Sequence, residues 1–178
     1  MRQRVRQCEW GRLLKIFAHY ATLDPLTAEF LDRQRNAGHE VHMESSGNLP
    51  YYEAFRRVWC EGEAFINIEH DIVPPDLQSL WECEKDWCVH PYYVWNNYIA
   101  NALGCTKFSR HLLRTYPHLV CGLNYDKGWR TMDSHLYVAL TQLGYVPHVH
   151  TPLCHHTTRE RAQVIGKGIC PGCGREAL

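Results

Sequence analysis

The sequence predicts an α/β protein built on a mostly parallel central sheet flanked by helices. Two observations carry that expectation: strand-like and helix-like periodicities alternate through the first seventy residues, and the third apolar run, Phe65-Ile66-Asn67-Ile68, ends on Glu69-His70-Asp71 and a double proline. Consecutive strands joined by helices favour right-handed crossovers onto a parallel sheet.

Leu14 to Ala18 reads as a first strand. Asp24 then offers a helix N-cap, Pro25 suits the first helical position, and Leu26, Phe30 and Leu31 line one helical face until Gly38 ends it. Glu40 to Met43 makes a second strand, followed by the turn-forming Ser45-Ser46-Gly47-Asn48. From Pro50 a second helix carries Tyr51, Ala54, Phe55, Val58 and Trp59 along one side, and Glu61-Gly62 closes it before the Phe65 to Ile68 strand. Further on, Leu112-Leu113 reads as helical. Leu136, Leu140 and Leu143 space as a helix that stops at Gly144.

With 178 residues the chain has the length of one domain, read here as residues 1–156 followed by a tail, 157–178. Nineteen basic and nineteen acidic residues leave no net charge, so no global field draws it to nucleic acid or membrane. The apolar stretch after the arginine-rich start is interrupted by Lys15, His19 and Asp24, which fits neither a signal peptide nor a membrane span, so a cytoplasmic location is expected. Nine cysteines are many for this length. In a reducing compartment the scattered ones, Cys60, Cys83, Cys105 and Cys121, are expected to be small core residues, with metal ligation confined to those that cluster.

Placement makes the strand-end acids a site candidate, because ligands of open α/β sheets bind outside the carboxyl ends of the strands. Glu69 and Asp71 could present oxygen ligands to Mg²⁺ or Mn²⁺, which would bridge a diphosphate; a solvated loop is the simpler alternative. Asp133 stands at the start of its helix, where it serves either as a cap or as a base. In the tail, Cys170-Pro171-Gly172-Cys173 is a Cys-x-x-Cys knuckle. With Cys154 and His155 or His156 upstream it could complete a structural Zn²⁺ site. Trp81, Trp87, Tyr92, Tyr93, Trp95, Tyr98 and Trp129 could supply an acceptor groove or pack a core.

The order of these motifs resembles the nucleotide-sugar glycosyltransferases of the GT-A fold, in particular small bacterial or phage-like relatives of family 2, over roughly residues 14–156. The resemblance implies a Rossmann-like domain in which Glu69-His70-Asp71 stands for the family's Asp-x-Asp metal motif and Glu44 lies near the position that reads the donor base. It implies that the segment from Gly104 through Lys107 lies at the acceptor side with Trp129, that Asp133 acts as the base, and that His155 is the late metal ligand beside Asp71 and Glu69. His156 is then left for zinc with Cys154, Cys170 and Cys173. The activity so implied is a Mn²⁺- or Mg²⁺-dependent transfer of sugar from a nucleoside-diphosphate-sugar donor to a hydroxyl. Lys107, Arg110, Arg114, Lys127 and Arg130 suit a phosphate-bearing acceptor such as hydroxymethylated phage DNA. The alternatives are a zinc-stabilised nucleic-acid-binding module and a metal-dependent nuclease.

Overall fold

A computed structural model describes residues 13–45, 48–94, 97–123 and 131–157. The alternation expected at the start is present as β1 (Lys15–Tyr20), α1 (Pro25–Asn36), β2 (Glu40–Ser45), α2 (Asn48–Cys60) and β3 (Phe65–Ile68). Asp24 caps α1 by accepting a hydrogen bond from Leu26 N at 2.9 Å, with Pro25 at the first helical position. β4 (Ile72–Val73), α3 (Gln78–Glu82), β5 (Trp87–Val89), β6 (Tyr92–Val94), β7 (Asn97–Ile99), β8 (Cys105–Phe108), α4 (Arg110–Thr115), α5 (Met132–Gln142), β9 (His148–Val149) and β10 (His155–His156) complete the described chain. No helix among the described residues is long and apolar enough to cross a membrane.

Six strands form the central sheet in the order β2-β1-β3-β8-β5-β9. β1 pairs parallel with β2 and β3, β5 pairs parallel with β9, and β8 runs antiparallel to both β3 and β5. Five strands therefore share one direction, and β8 alone is reversed among the described strands. The segment from Gly104 through Lys107, expected at the acceptor side, leads into and forms most of a buried core strand. β10 and β4 form a separate antiparallel ribbon.

Alternation along the strands divides the core into two. On one face Phe17, Phe65, Trp87, Val89 and Phe108 meet Ala54, Phe55, Val58 and Trp59 of α2, Leu112 and Leu113 of α4, and Met132, Leu136 and Leu140 of α5. On the other, Ile16, Ala18, Ile66, Ile68, Cys88 and Cys105 meet Phe30 and Leu31 of α1 and Leu80 of α3. Phe108 is the hub of the first face. Its ring lies 5.1 Å from Trp59, 5.6 Å from Phe65 and 6.2 Å from Phe55, and it is fully buried. Such aromatic pairs add to simple burial. Phe108→Ala should cost about 3–5 kcal/mol in denaturant unfolding, whereas Val138→Ala, on the exposed side of α5, should change stability by no more than about 0.5 kcal/mol.

Candidate functional site

The reversal of β8 decides what lies at the carboxyl end of the parallel strands. Ile68, the last residue of β3, pairs with Cys105, the first of β8, so the segment entering β8 meets the segment leaving β3. Glu69 N donates to Gly104 O at 2.9 Å, and the buried Asn67 side chain donates through Nδ2 to Leu103 O at 2.6 Å. Leu103 N in turn points to Asp133 Oδ2 at 3.5 Å, a long hydrogen bond that ties the start of α5 to the same rim.

Asp133 retains some open surface but lies deep among protein atoms, and this desolvation pushes its carboxyl up to about 6, with the Leu103 amide opposing. Tyr51 of α2 stands nearby. Burial first, and then the carboxylates of Glu69 and Asp133, raise its phenol well above the usual value, against a smaller opposing contact with Asn67. His19, at the end of β1, packs its ring 5.1 Å from Tyr51. Burial lowers its pKa, the Glu44 carboxylate opposes this, and Arg57 adds to it. Glu44, on β2, is ion-paired to Arg57 of α2. The rim thus gathers Tyr51, Asn67, Glu69 and Asp133, with His19 and Glu44 to one side. A carboxyl that titrates near neutrality beside neutral hydrogen-bonding groups is suited to accept a proton.

Asp71 looks elsewhere. It is 2% exposed, and its Oδ2 lies 3.5 Å from His156 Nε2 and 3.7 Å from His70 Nε2. Its carbonyl accepts from Thr157 N at 2.9 Å. These contacts arise because β10 folds back along β4, pairing His156 with Ile72 and His155 with Val73. Adjacent strand residues point to opposite sides. The histidine beside Asp71 is therefore His156, not the expected His155, whose side chain lines a pocket with Phe30, Arg33, Val73, Pro74 and Pro75. Among the described residues, Glu69, Asp71 and His155 do not form a group with ligand atoms within 4.8 Å of one another.

Other expected positions also resolve. Gly104 has to be glycine for a packing reason: a Cβ there would come within 2.3 Å of Tyr92 Cε1. Lys107 is not an exposed acceptor residue. It is 4% exposed, and its ammonium donates to Cys83 O. Arg110 and Arg114 both pair with Glu63, so the described members of the basic group are engaged within the fold. Cys154 is buried in the core, its thiol 3.7 Å from His90 O. Trp87 is core as well. Trp95, Lys127, Trp129, Arg130, Cys170 and Cys173 lie outside the described residues.

A group absent from the sequence expectations lies under α3. Cys83, Cys88 and His150 bring their ligand atoms within 4.8 Å of one another and could hold a metal ion such as zinc. The Cys-x-x-x-x-Cys spacing was visible, but the histidine is distant in sequence.

No family model matches the chain, and no curated protein matches it. Among solved structures it is similar to the one titled "Crystal Structure of A197 from STIV", with a TM-score of 0.61 at 14% identity over 84% of this chain and 87% of that one. At that identity the likeness concerns fold alone. It supports a mixed α/β class with a central, mostly parallel sheet flanked by helices.

The Asp133 carboxyl gives a pH test of the rim. Its folded pKa is raised, so the fold favours the neutral acid; that contribution is complete below the unfolded value near 4 and is lost as pH rises through about 6. Asp133→Asn, which can still accept from Leu103 N, should flatten the stability profile between pH 4 and 7. At pH 7 it should exceed wild type by about 1–2 kcal/mol in urea unfolding, after discounting for the open surface.

Proposed function

We propose that the protein is a glycosyltransferase of the GT-A type, moving a sugar from a nucleoside-diphosphate-sugar donor to a hydroxyl acceptor. The observation that carries this reading is the convergence, at the carboxyl end of β1, β2 and β3, of acids from three separated segments: Glu44, Glu69 and Asp133. A single reversed strand delivers the Gly104 segment to the same rim. The motif order implies acids at this end of the sheet, whereas the reversed strand was not expected from it.

In this reading Asp133 takes the proton of the attacking hydroxyl, and its carboxyl, raised to about 6, is mostly ionised at neutral pH while remaining a competent base. Tyr51 and Asn67, whose polar atoms are buried, shape the rim from beneath, Asn67 through its bond to Leu103 O. Glu44, His19 and Arg57 lie on the β1–β2 side, where the donor base would sit. The fit to Mn²⁺ or Mg²⁺ is partial: Asp71 and His156 supply one carboxylate and one imidazole 3.5 Å apart. Both side chains are buried, and Asp71 faces away from the rim, so no step of the transfer is assigned to the ion. The acceptor is assigned only as a hydroxyl: Lys107 is buried, and the exposed side chains of Arg110 and Arg114 both pair with Glu63.

The test is release of nucleoside diphosphate and transfer of labelled sugar from UDP-, GDP-, CDP- and dTDP-sugars, with Mn²⁺, Mg²⁺ or chelator and a range of hydroxyl acceptors that includes hydroxymethylated DNA. One donor should be turned over by wild type, with kcat rising with pH through about 6 as the base ionises. Asp133→Asn should lower kcat by about 10²–10⁴ while the protein remains folded. No turnover of any donor, or full turnover by Asp133→Asn, would contradict the reading.

A further inference from the structure

We propose that Cys83, Cys88 and His150 form a structural zinc site that fastens α3 and the edge strand β9 to β5. This site is separate from the rim and does not depend on the glycosyltransferase reading.

Three different elements supply the ligands. Cys83 is the residue that ends α3. Cys88 lies fully buried in β5. His150 follows β9 and is positioned by its own amide, which donates to Val89 O at 2.8 Å. Their ligand atoms are at most 4.8 Å apart. A tetrahedral zinc ion with bonds of about 2.0–2.3 Å holds its ligands about 3.5 Å from one another. Small side-chain rotations suffice to close that gap.

A second observation points to a ligand there. His150 Nε2 is buried and makes no hydrogen bond among the described residues. A buried imidazole nitrogen without a partner is costly, and coordination would satisfy it. The neighbouring histidine is different: His90 uses Nδ1 toward Pro152 O at 2.9 Å and Nε2 toward Ser79 Oγ at 3.2 Å. It has no nitrogen to spare. His148, whose ring lies 4.8 Å from that of His150, is the nearest further imidazole and is exposed. The fourth position therefore faces solvent and falls to His148 or to water.

The surroundings select the metal. Lys107 is paired with Cys88 across the β5–β8 ladder, so its side chain shares that face, and its ammonium donates to the Cys83 carbonyl. A hard dication without thiolates would be repelled by this buried cation. Zinc with two thiolates adds no net charge, and the ammonium can donate to a metal-bound sulfur as an outer-shell partner. Burial pushes the Cys88 thiol up to about 12 in the absence of metal. Binding would release both thiol protons to solvent.

The location explains a structural role. β9 has only two residues, both exposed, and among the described residues it pairs with β5 alone. α3 has five residues, and Asp76 caps its start by accepting from Gln78 N at 2.8 Å and Ser79 N at 2.9 Å, while its other end, at Cys83, has no such cap. A bond from each to a shared ion would restrain two short pieces at once.

Tag-free full-length protein should be stripped of metal, reduced, and titrated with Co²⁺ while its visible absorption is recorded. The proposal expects a tetrahedral spectrum with sulfur-to-cobalt charge transfer, displaced by Zn²⁺. That signal should disappear in Cys83→Ser, persist in the Cys170→Ser/Cys173→Ser double variant, and titrate at least about tenfold more weakly in His150→Ala, whose change at the sheet edge spares the buried core. Chelator should lower the Tm of wild type and of the tail variant but not of Cys83→Ser. A signal lost only with the tail pair, no charge transfer in folded wild type, or a Cys83–Cys88 disulfide with no metal uptake after reduction would each overturn the site. Because Cys88 is in the core, Cys83→Ser and His150→Ala decide the outcome even if Cys88→Ser fails to fold.

Discussion

The reversed strand β8, held between β3 and β5, is the constraint on which the rest of this structure depends. Its backbone completes the ladder of β3 on one side and of β5 on the other, so its loss would leave two buried strand edges without partners. Its side chains join both halves of the core: Phe108 locks into the aromatic cluster beneath α2, while Cys105 lies against the opposite layer. Its direction matters as much as its position. Entering where β3 leaves, it carries Leu103 and Gly104 to the acids at the sheet's carboxyl end, and through Leu103 it reaches Asp133.

The same strand separates two kinds of chemistry. Toward α2 and α5, the sheet end offers carboxylates, a phenol and an amide, with burial raising Asp133 toward neutrality and depressing His19. Toward α3 it offers thiols, an imidazole and the Lys107 ammonium. Polar groups sit at depth in both places. Interiors tolerate such groups where hydrogen bonds or ligands satisfy them, which makes these two regions the natural places to look for bound molecules.

Much of the first half was legible in the sequence because local signals and tertiary demand agree there. Asp24 and Pro25 begin α1 as expected, Phe55, Val58 and Trp59 bury the face their spacing implied, and β3 ends on the acids. β8 was not legible. A glycine before it and a lysine within it resemble a surface loop, and only the pairing with Cys88 and the carbonyl of Cys83 makes that lysine a core residue. Which histidine of the pair lies beside Asp71 was not legible, since alternation along β10 is set by register with β4, which short strands do not declare. The cluster of Cys83, Cys88 and His150 escaped because strand order, rather than proximity in sequence, brings β5 beside β9.

The proposed sugar transfer requires that a nucleoside-diphosphate-sugar bind at the carboxyl end of β1, β2 and β3. The most direct measurement is an amide chemical-shift titration of isotope-labelled protein with UDP-, GDP-, CDP- and dTDP-sugars in the presence of Mg²⁺. Saturable shifts are expected for one donor, centred on Glu44, Tyr51, Glu69, Gly104 and Asp133. No saturable shifts with any donor, or shifts confined to residues away from that rim, would contradict donor binding there.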